Sequence, residues 1–381
     1  MSSSKDFLLN ALSGVEDKFD KARFLLKRNL GALGPFAILP YYGYGNHETV
    51  HIMGRLLEDE GLDQPEEDDP VWKNLYTMFK RYESDEITNA RLRASFQGQT
   101  KEITTDSEGY FEVVFNTNEK LPENQIWHSI DFELLDQIIE DQGEVKSTGE
   151  VMVPGERAQF GVISDVDDTI LVSKSSDLIQ KGKLTFLKNA KTRMPFEGVA
   201  AFYRALQKGS DGNRFNPIFY VSSSPWNLYD LLVRFCENND IPKGPFLLRD
   251  MGLTKDKFIK SGHMNHKVEK VERIFRMYPD LSFILVGDSG QKDAEIYQKV
   301  VNDYPDKVLA IYIRDVSPEE KTGRDGKVKK IAQTVKIHGI DMLLCQDTED
   351  AAHHAIQKGY IPGDALSKVV QGRDEDHQRE E

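Results

Sequence analysis

Residues 159 to 172, Gln-Phe-Gly-Val-Ile-Ser-Asp-Val-Asp-Asp-Thr-Ile-Leu-Val, constrain this chain more than any other stretch. Phe160, Val162 and Ile163 make the short apolar run of a strand buried on both faces of a parallel sheet. The run ends in Asp165, Asp167 and Asp168, followed by Thr169. Three acids within four residues repel one another unless a cation or a proton sits among them, and the carboxyl ends of parallel strands are where such sites lie. The stretch points to a magnesium-dependent phosphoryl-transfer site; read alone, it is equally a solvated turn that caps the next helix. Three elements further along the chain decide between the two.

The whole chain sets the frame. Its 381 residues suffice for two ordinary domains, and 39% hydrophobic with 29% charged residues is the composition of a soluble globular protein. A formal net charge of −14 opposes binding to nucleic acid through a general field. Cys236 and Cys345 lie in apolar surroundings and read as reduced core thiols. Neither a secretory leader nor an apolar run of spanning length is visible, so a cytoplasmic location is expected.

From the start of the chain, Leu8, Leu12, Val15, Phe19, Ala22 and Leu26 recur at helical spacing with basic residues beside them, which predicts an amphipathic helix within residues 1–33. Docking on protein is the favoured role, because Asp6, Glu16, Asp17 and Asp20 dilute the basic face; peripheral membrane contact stays open. A loop is expected from Gly34 to Gly45, then a strand from Val50 to Leu57. Residues 58–69 carry eight acids and read as a solvated loop, and 71–82 as a short helix. Alternation predicts strands at Ala90–Phe96, Phe111–Phe115, Trp127–Leu135 and Gly149–Val153, with a hairpin turn at Thr105–Phe111. Five short strands suggest a small antiparallel β-sandwich over 34–154.

The pattern changes at Pro154-Gly155, and over 155–371 strands alternate with helices, as a parallel sheet with crossover helices requires. Strands are expected at 160–164, 217–222, 246–248, 282–287 and 307–313, with helices at 196–208, 225–238, 265–277 and 290–303. Residues 372–381 are charged, without apolar side chains, and are expected to be disordered.

Within this half lie the three deciding elements. Strand Pro217–Val221 ends in Ser222-Ser223-Ser224 before Pro225, a proline suited to a first helical position, so that free N–H groups and a hydroxyl face the sheet edge. Lys267 stands just inside a helix that begins near Asn265, where a cation does not help the macrodipole. Phe283–Val286 runs into Gly287-Asp288, with Asp293 five residues beyond Asp288 and glycines that let backbone approach a ligand.

In this order the four elements resemble the haloacid dehalogenase superfamily. More narrowly, Ile163–Thr169, Ser222–Asn227, His266-Lys267 and Gly287–Asp293 resemble the actin-patch-associated phosphatidate phosphatase family, to whose catalytic domain that of the lipins is distantly similar. The resemblance covers about residues 157–320, with Tyr42–Gly45 and Gly54-Arg55 similar to the family's upstream segment; the turn at Asp106–Phe111 is similar to one in prealbumin-like sandwiches. It implies an α/β fold: a Rossmann-like, haloacid dehalogenase-type parallel sheet preceded by the N-terminal helix and the sandwich. It further implies a phosphomonoester hydrolase with Mg2+ and an aspartyl-phosphate intermediate. Asp165 would be the nucleophile and Asp167 the general acid and base, with Asp165, Asp167 and Asp288 holding the metal. Ser222 and Lys267 would hold the phosphoryl oxygens. Asp293 would orient Lys267 or a metal-bound water, Thr169 would brace the turn, and Asp168 would be a supporting acid. Ser223, His263, His266 and Arg314 are candidates for substrate contact, with structural roles equally open.

The segment Val172–Pro195 carries Lys174, Lys181, Lys183, Lys188, Lys191 and Arg193 where the superfamily holds a flap or cap, and suggests attraction for an anionic substrate. A phosphatidate-like lipid is the leading substrate by resemblance. A soluble phosphorylated metabolite is the alternative, and so is a protein-binding sandwich with a regulatory phosphatase domain. The oligomeric state is not legible.

Overall fold

The computed structural model describes residues 34–58, 86–122, 125–166, 198–249, 263–316 and 323–380. Four expectations lie outside the described residues: the helix over 5–28, all but the first of the acids at 58–69, the helix at 71–82 and the basic segment 172–195. Two compact units divide the chain. One contains His51–Phe115 and Ser129–Glu150; the other contains Val151–Glu381 together with Tyr42–Val50 and Asn116–His128.

The first unit follows from alternation. Along β6 (Tyr110–Asn116), Phe111, Val113 and Phe115 are buried while Glu112 and Val114 face out; along β7 (Trp127–Leu134), Ile130, Phe132 and Leu134 are buried between exposed neighbours. The strands preceding these are β1 (Phe36–Pro40), β2 (Gly43–Gly45), β3 (Thr49–Glu58), β4 (Arg91–Phe96) and β5 (Gln99–Thr104), and β8 (Lys146–Met152) follows. β3 pairs with β1 and with β6, while β4 pairs antiparallel with β5 and β7. Phe111 meets Phe132 at 5.1 Å and Phe115 meets Phe96 at 5.8 Å between ring centroids, so the two ladders meet through tilted aromatic pairs. Arg55, 4% exposed, is held inside by the Glu86 carboxylate at 2.7 Å, the Glu108 carbonyl and the face of Tyr110.

Two expectations change here. The loop at Gly34–Gly45 contains β1, whose Ala37 pairs with Leu57, and β2, whose Tyr44 pairs in parallel with Met152. The hairpin is not at Thr105–Phe111 but at Gln97-Gly98, where φ values of +47° and +71° make the two-residue turn whose twist suits paired strands. The Asp106 turn exists, with Asp106 Oδ1 accepting from the N–H of Glu108 and Tyr110, but it sends the chain to β3 rather than back onto β5.

In the second unit the chain runs β9 (Gly161–Asp165), α1 (Val199–Lys208), β10 (Ile218–Pro225), α2 (Tyr229–Asn238), β11 (Phe246–Arg249), α3 (His263–Met277) and β12 (Phe283–Asp288). It continues through α4 (Asp293–Asp303), β13 (Val308–Arg314), α5 (Gly323–Lys336), β14 (Asp341–Cys345), α6 (Thr348–Gln357) and α7 (Ala365–Glu380). The sheet order is β11-β10-β9-β12-β13-β14 and every ladder is parallel. Both faces are covered, which is why β9, β10 and β12 are nearly continuous apolar runs. Ile163, Phe219, Leu285 and Ile311 pack with Val271, Ile274 and Phe275 of α3 and Val300 of α4. β9 was the first strand laid down and lies in the middle, so the crossovers reverse direction between it and β12. A crevice at the carboxyl ends of those two strands is the result.

Tyr42–Val50 is built into this unit. The Tyr44 ring packs edge-on to Phe219 at 5.9 Å, the Tyr278 hydroxyl donates to the Gly45 carbonyl at 2.9 Å, and the Tyr42 N–H donates to the Tyr229 hydroxyl. The charged stretch 372–381, expected to be disordered, continues α7 as far as Glu380. Its polar side chains are used: Arg373 pairs with Glu349 at 2.6 Å, and Asp376, nearly buried, accepts from the Gly198 N–H at 2.8 Å. β14, α5 and α6 were not anticipated either.

Candidate active site

Asp165 ends β9 and Asp288 ends β12, the two strands that flank the crevice. Register puts Val286 opposite Ser164, so both acids leave the sheet at the same edge. Lys267 rises from α3 between them. Its side chain is almost fully buried, and its ammonium lies 2.7 Å from Asp165 Oδ1, 3.1 Å from Asp293 Oδ1 and 2.9 Å from Gln291 Oε1. A buried cation needs such company, because leaving it unpaired costs several kcal/mol, of order ~3–5.

Asp293, wholly buried in the first turn of α4, works with both oxygens: Oδ1 holds Lys267, and Oδ2 accepts from the backbone N–H of Asp288 at 3.0 Å. The Asp288 carboxylate is itself oriented, since its Oδ1 accepts from the N–H groups of Gly290 and Gln291 at 2.7 and 3.0 Å. Gly287 has a role other than the approach to a ligand. A Cβ there would lie 2.6 Å from Asp293 Oδ2, so the missing side chain makes room for this carboxylate.

On the β10 side, Val221 pairs with Asp165, and Ser222 follows it, fully buried. Its Oγ accepts from the Ser224 N–H at 2.9 Å and its carbonyl accepts from Lys270 Nζ at 2.6 Å. Pro225 is the last strand residue, with φ −73° and ψ 156°, and a 3-10 turn at Trp226–Leu228 precedes α2. The expected helix start at Pro225 therefore moves to Tyr229, because an extended ψ cannot begin a helix. α3 begins at His263, two residues before the expected start, which puts Lys267 in its second turn.

Behind the site, Ser164 Oγ and the Tyr203 hydroxyl are hydrogen-bonded at 2.7 Å, and burial pushes the Tyr203 phenol well above its ordinary value. Both cysteines are free and buried as expected; burial pushes the Cys236 thiol up to about 12 and raises that of Cys345.

Asp165, Lys267, Asp288 and Asp293 thus come together. Ser222, with Ser223 half-buried beside it, borders them across β10, and Arg314 borders them across β13, paired in register with Asp288. His266 is on α3 with its ring Nδ1 3.8 Å from the Glu269 carboxylate. Asp167, Asp168 and Thr169 lie outside the described residues. Sequence reading missed Gln291 and Lys270. Gln291 sat unremarked inside the Gly287–Asp293 motif, and Lys270 stands at i+3 from Lys267, a spacing that puts both on one helix face.

Three carboxylates, Asp165, Asp288 and Asp293, each bring one oxygen within 4.8 Å of the others, a group able to hold a metal ion. Residues 160–315 match the family model described as Phosphatidate phosphatase APP1, catalytic domain. This segment is similar to an APP1 catalytic domain. Over 157 residues, 41% of this chain, it is 33% identical to Phosphatidate phosphatase APP1 of Saccharomyces cerevisiae, of which that stretch is 26%. An uncharacterized protein of Schizosaccharomyces pombe is 27% identical over 274 residues, 69% of this chain and 42% of its own. The chain therefore spans less than half the length of these two curated relatives. A putative α-galactosidase of Bacteroides fragilis aligns with 86% of this chain and 55% of its own at 8% identity and a TM-score of 0.23, a likeness that carries no argument. Among the described residues, no helix is long and apolar enough to cross a membrane.

Proposed function

We propose that this chain is a cytoplasmic phosphomonoester hydrolase acting on phosphatidate or a related phospholipid, with Asp165 as nucleophile. The observation that carries the reading is the Lys267 ammonium 2.7 Å from Asp165, beside Asp288, at the reversal point of the parallel sheet. The lipid comes from the name of the family model and of the yeast relative; the side chains themselves support a phosphomonoester.

The Asp165 carboxylate attacks phosphorus in line, the bond from phosphorus to the alcohol oxygen breaks, and an aspartyl phosphate forms. Asp167, by resemblance, protonates the departing oxygen. It then takes a proton from the water that attacks phosphorus, which releases phosphate and restores Asp165. Lys267 lies where charge collects on the transferring group, Asp293 holds Lys267 in place, and Ser222 and Ser223 close the site on the β10 side.

Magnesium fits the donor set, because hard carboxylate oxygens converge there. Both oxygens of Asp293 are engaged by Lys267 and Asp288, so Asp165 and Asp288, with Asp167 by resemblance, are the residues that would hold the ion. When bound, it supplies Lewis-acid stabilisation of the phosphoryl oxygens.

A soluble phosphorylated metabolite is the second reading, favoured by the net charge of −14, which opposes adsorption to an anionic bilayer. The test is phosphate release from phosphatidate in mixed micelles, sugar phosphates, nucleotides and an aryl phosphate, with magnesium and with EDTA. Wild type is compared with Asp165→Asn, which removes the nucleophile at constant volume. Magnesium-dependent turnover that falls by at least about a thousandfold in the variant is expected, with phosphatidate the best substrate. Near-normal turnover by Asp165→Asn overturns the mechanism, and a preference for a soluble ester moves the substrate to the second reading.

A further inference from the structure

An ammonium has three N–H donors. Among the described residues, Lys267 Nζ donates to Gln291 Oε1 at 2.9 Å and to Asp293 Oδ1 at 3.1 Å, and forms an ion pair with Asp165 Oδ1 at 2.7 Å. Two of these oxygens belong to carboxylates, held to the ammonium by opposite charge. The third is a neutral amide and is held roughly half as strongly.

A phosphoryl oxygen that comes to Lys267 takes, at the least cost, the place of the most weakly held of these oxygens. Asp165 must stay if it is the nucleophile, and Asp293 is buried and clamped a second time by the Asp288 N–H. Gln291 is different. Its backbone is fixed, because its N–H donates to Asp288 Oδ1 at 3.0 Å, but its side chain is only half-buried and can rotate outward without disturbing that hydrogen bond.

We propose that the Gln291 amide oxygen stands in the place of a phosphoryl oxygen on Lys267 and is displaced by it, so that Gln291 sets the affinity of the site for phosphate. Gln291 is then a positioning residue, acting on substrate through Lys267. The inference rests on the phosphatase reading only in taking phosphate as the ligand. It also explains how an ammonium this deeply buried stays ordered before substrate arrives.

The test measures binding of inorganic phosphate by titration calorimetry in the presence of magnesium, beside turnover of an aryl phosphate, for wild type, Gln291→Ala, Gln291→Asn and Gln291→Glu. Removing the competing amide is expected to tighten phosphate binding about fivefold in Gln291→Ala, the size of one neutral hydrogen bond. Gln291→Asn, too short to reach Lys267, should follow Gln291→Ala. Gln291→Glu, a charged competitor, should bind at least about tenfold more weakly than wild type. A residue that merely braced the loop would lose affinity in all three variants, and that result, or unchanged affinity in Gln291→Ala, overturns the proposal. If phosphate binds in the expected order while no ester is turned over, the inference stands and the phosphatase reading falls. If esters are turned over but the order is absent, the inference alone falls, and if wild type neither binds phosphate nor turns over an ester, both fall.

Discussion

Gly287 and Asp293 share one small space: a Cβ on the glycine would lie 2.6 Å from the aspartate Oδ2. That oxygen accepts from the Asp288 N–H, and its twin holds Lys267. Gly287→Ala must therefore push the Asp293 carboxylate away and release Lys267 with it. Overpacking of this kind costs about 1–3 kcal/mol in stability. The expected outcome is a melting temperature lowered by several degrees and turnover lowered at least about tenfold, read from calorimetry and initial rates. Unchanged turnover would mean that Asp293 is not needed to hold Lys267.

Lys270 reaches the Ser222 carbonyl at 2.6 Å from the same face of α3 that carries Lys267. A hydrogen bond to a charged group contributes about 1.5–3 kcal/mol, so Lys270→Met should let the Ser222–Ser224 turn shift relative to Asp165. A loss of about tenfold in kcat/KM is expected, with partial recovery in Lys270→Arg, which keeps the charge and a donor. Equal kinetics in wild type and Lys270→Met would remove Lys270 from the account of the site.

The parallel half of this fold was legible because its strands are buried on both faces and end in residues with chemistry. β9, β10 and β12 each pair an apolar run with Asp165, Ser222 or Asp288, and no other local pattern produces that. β1 and β2 were not legible. Pro35, Pro40 and the glycines between 34 and 45 read as loop, and only pairing with β3 and with β8, the latter distant in sequence, makes strands of them. β5 (Gln-Thr-Lys-Glu-Ile-Thr) has no buried residue and depends entirely on its ladder with β4. At the site, Asp165, Lys267, Asp288 and Asp293 were found by residue type and spacing. Gln291 was not, because a neutral amide in a loop says nothing until the ammonium it faces is in view.

The C-terminal stretch is a case where composition misled. Asp376 accepts the Gly198 N–H at 2.8 Å, and Gly198, with φ +78°, is the N-cap residue of α1, which receives no side-chain cap from its own neighbours. A cap contributes about 1 kcal/mol, and the Arg373 pair with Glu349 adds to it. Deleting residues 372–381 should lower the melting temperature by about 4 °C or more, and Asp376→Ala alone by about 2–4 °C. A tail without structure would shift neither, and no change in either variant would contradict the helix.

Acid sensitivity should arise at the other end of the sheet, in β14. Burial would raise the Asp341 carboxyl, but hydrogen bonds from Lys336, Lys358 and His354 outweigh it and hold the group well below its ordinary value. Burial also lowers His354, against the pull of Asp341, and its Nδ1 is hydrogen-bonded to the Tyr312 hydroxyl at 3.0 Å. Both groups bind protons less readily folded than unfolded, so each contributes stability above its unfolded pKa that is lost as pH falls through the folded value. The histidine is the first to act: below its ordinary 6.5 the unfolded chain takes up a proton that the folded one resists. Asp341 follows only below its ordinary 3.8. Denaturant midpoints measured between about pH 8 and pH 4 should therefore decline from about pH 6.5 downward in wild type, and decline less over the upper part of that range in His354→Gln, which cannot be protonated. Parallel curves for the two proteins would show that His354 does not carry the acid response and would move it to His128, whose pKa burial also lowers, or to the carboxylates.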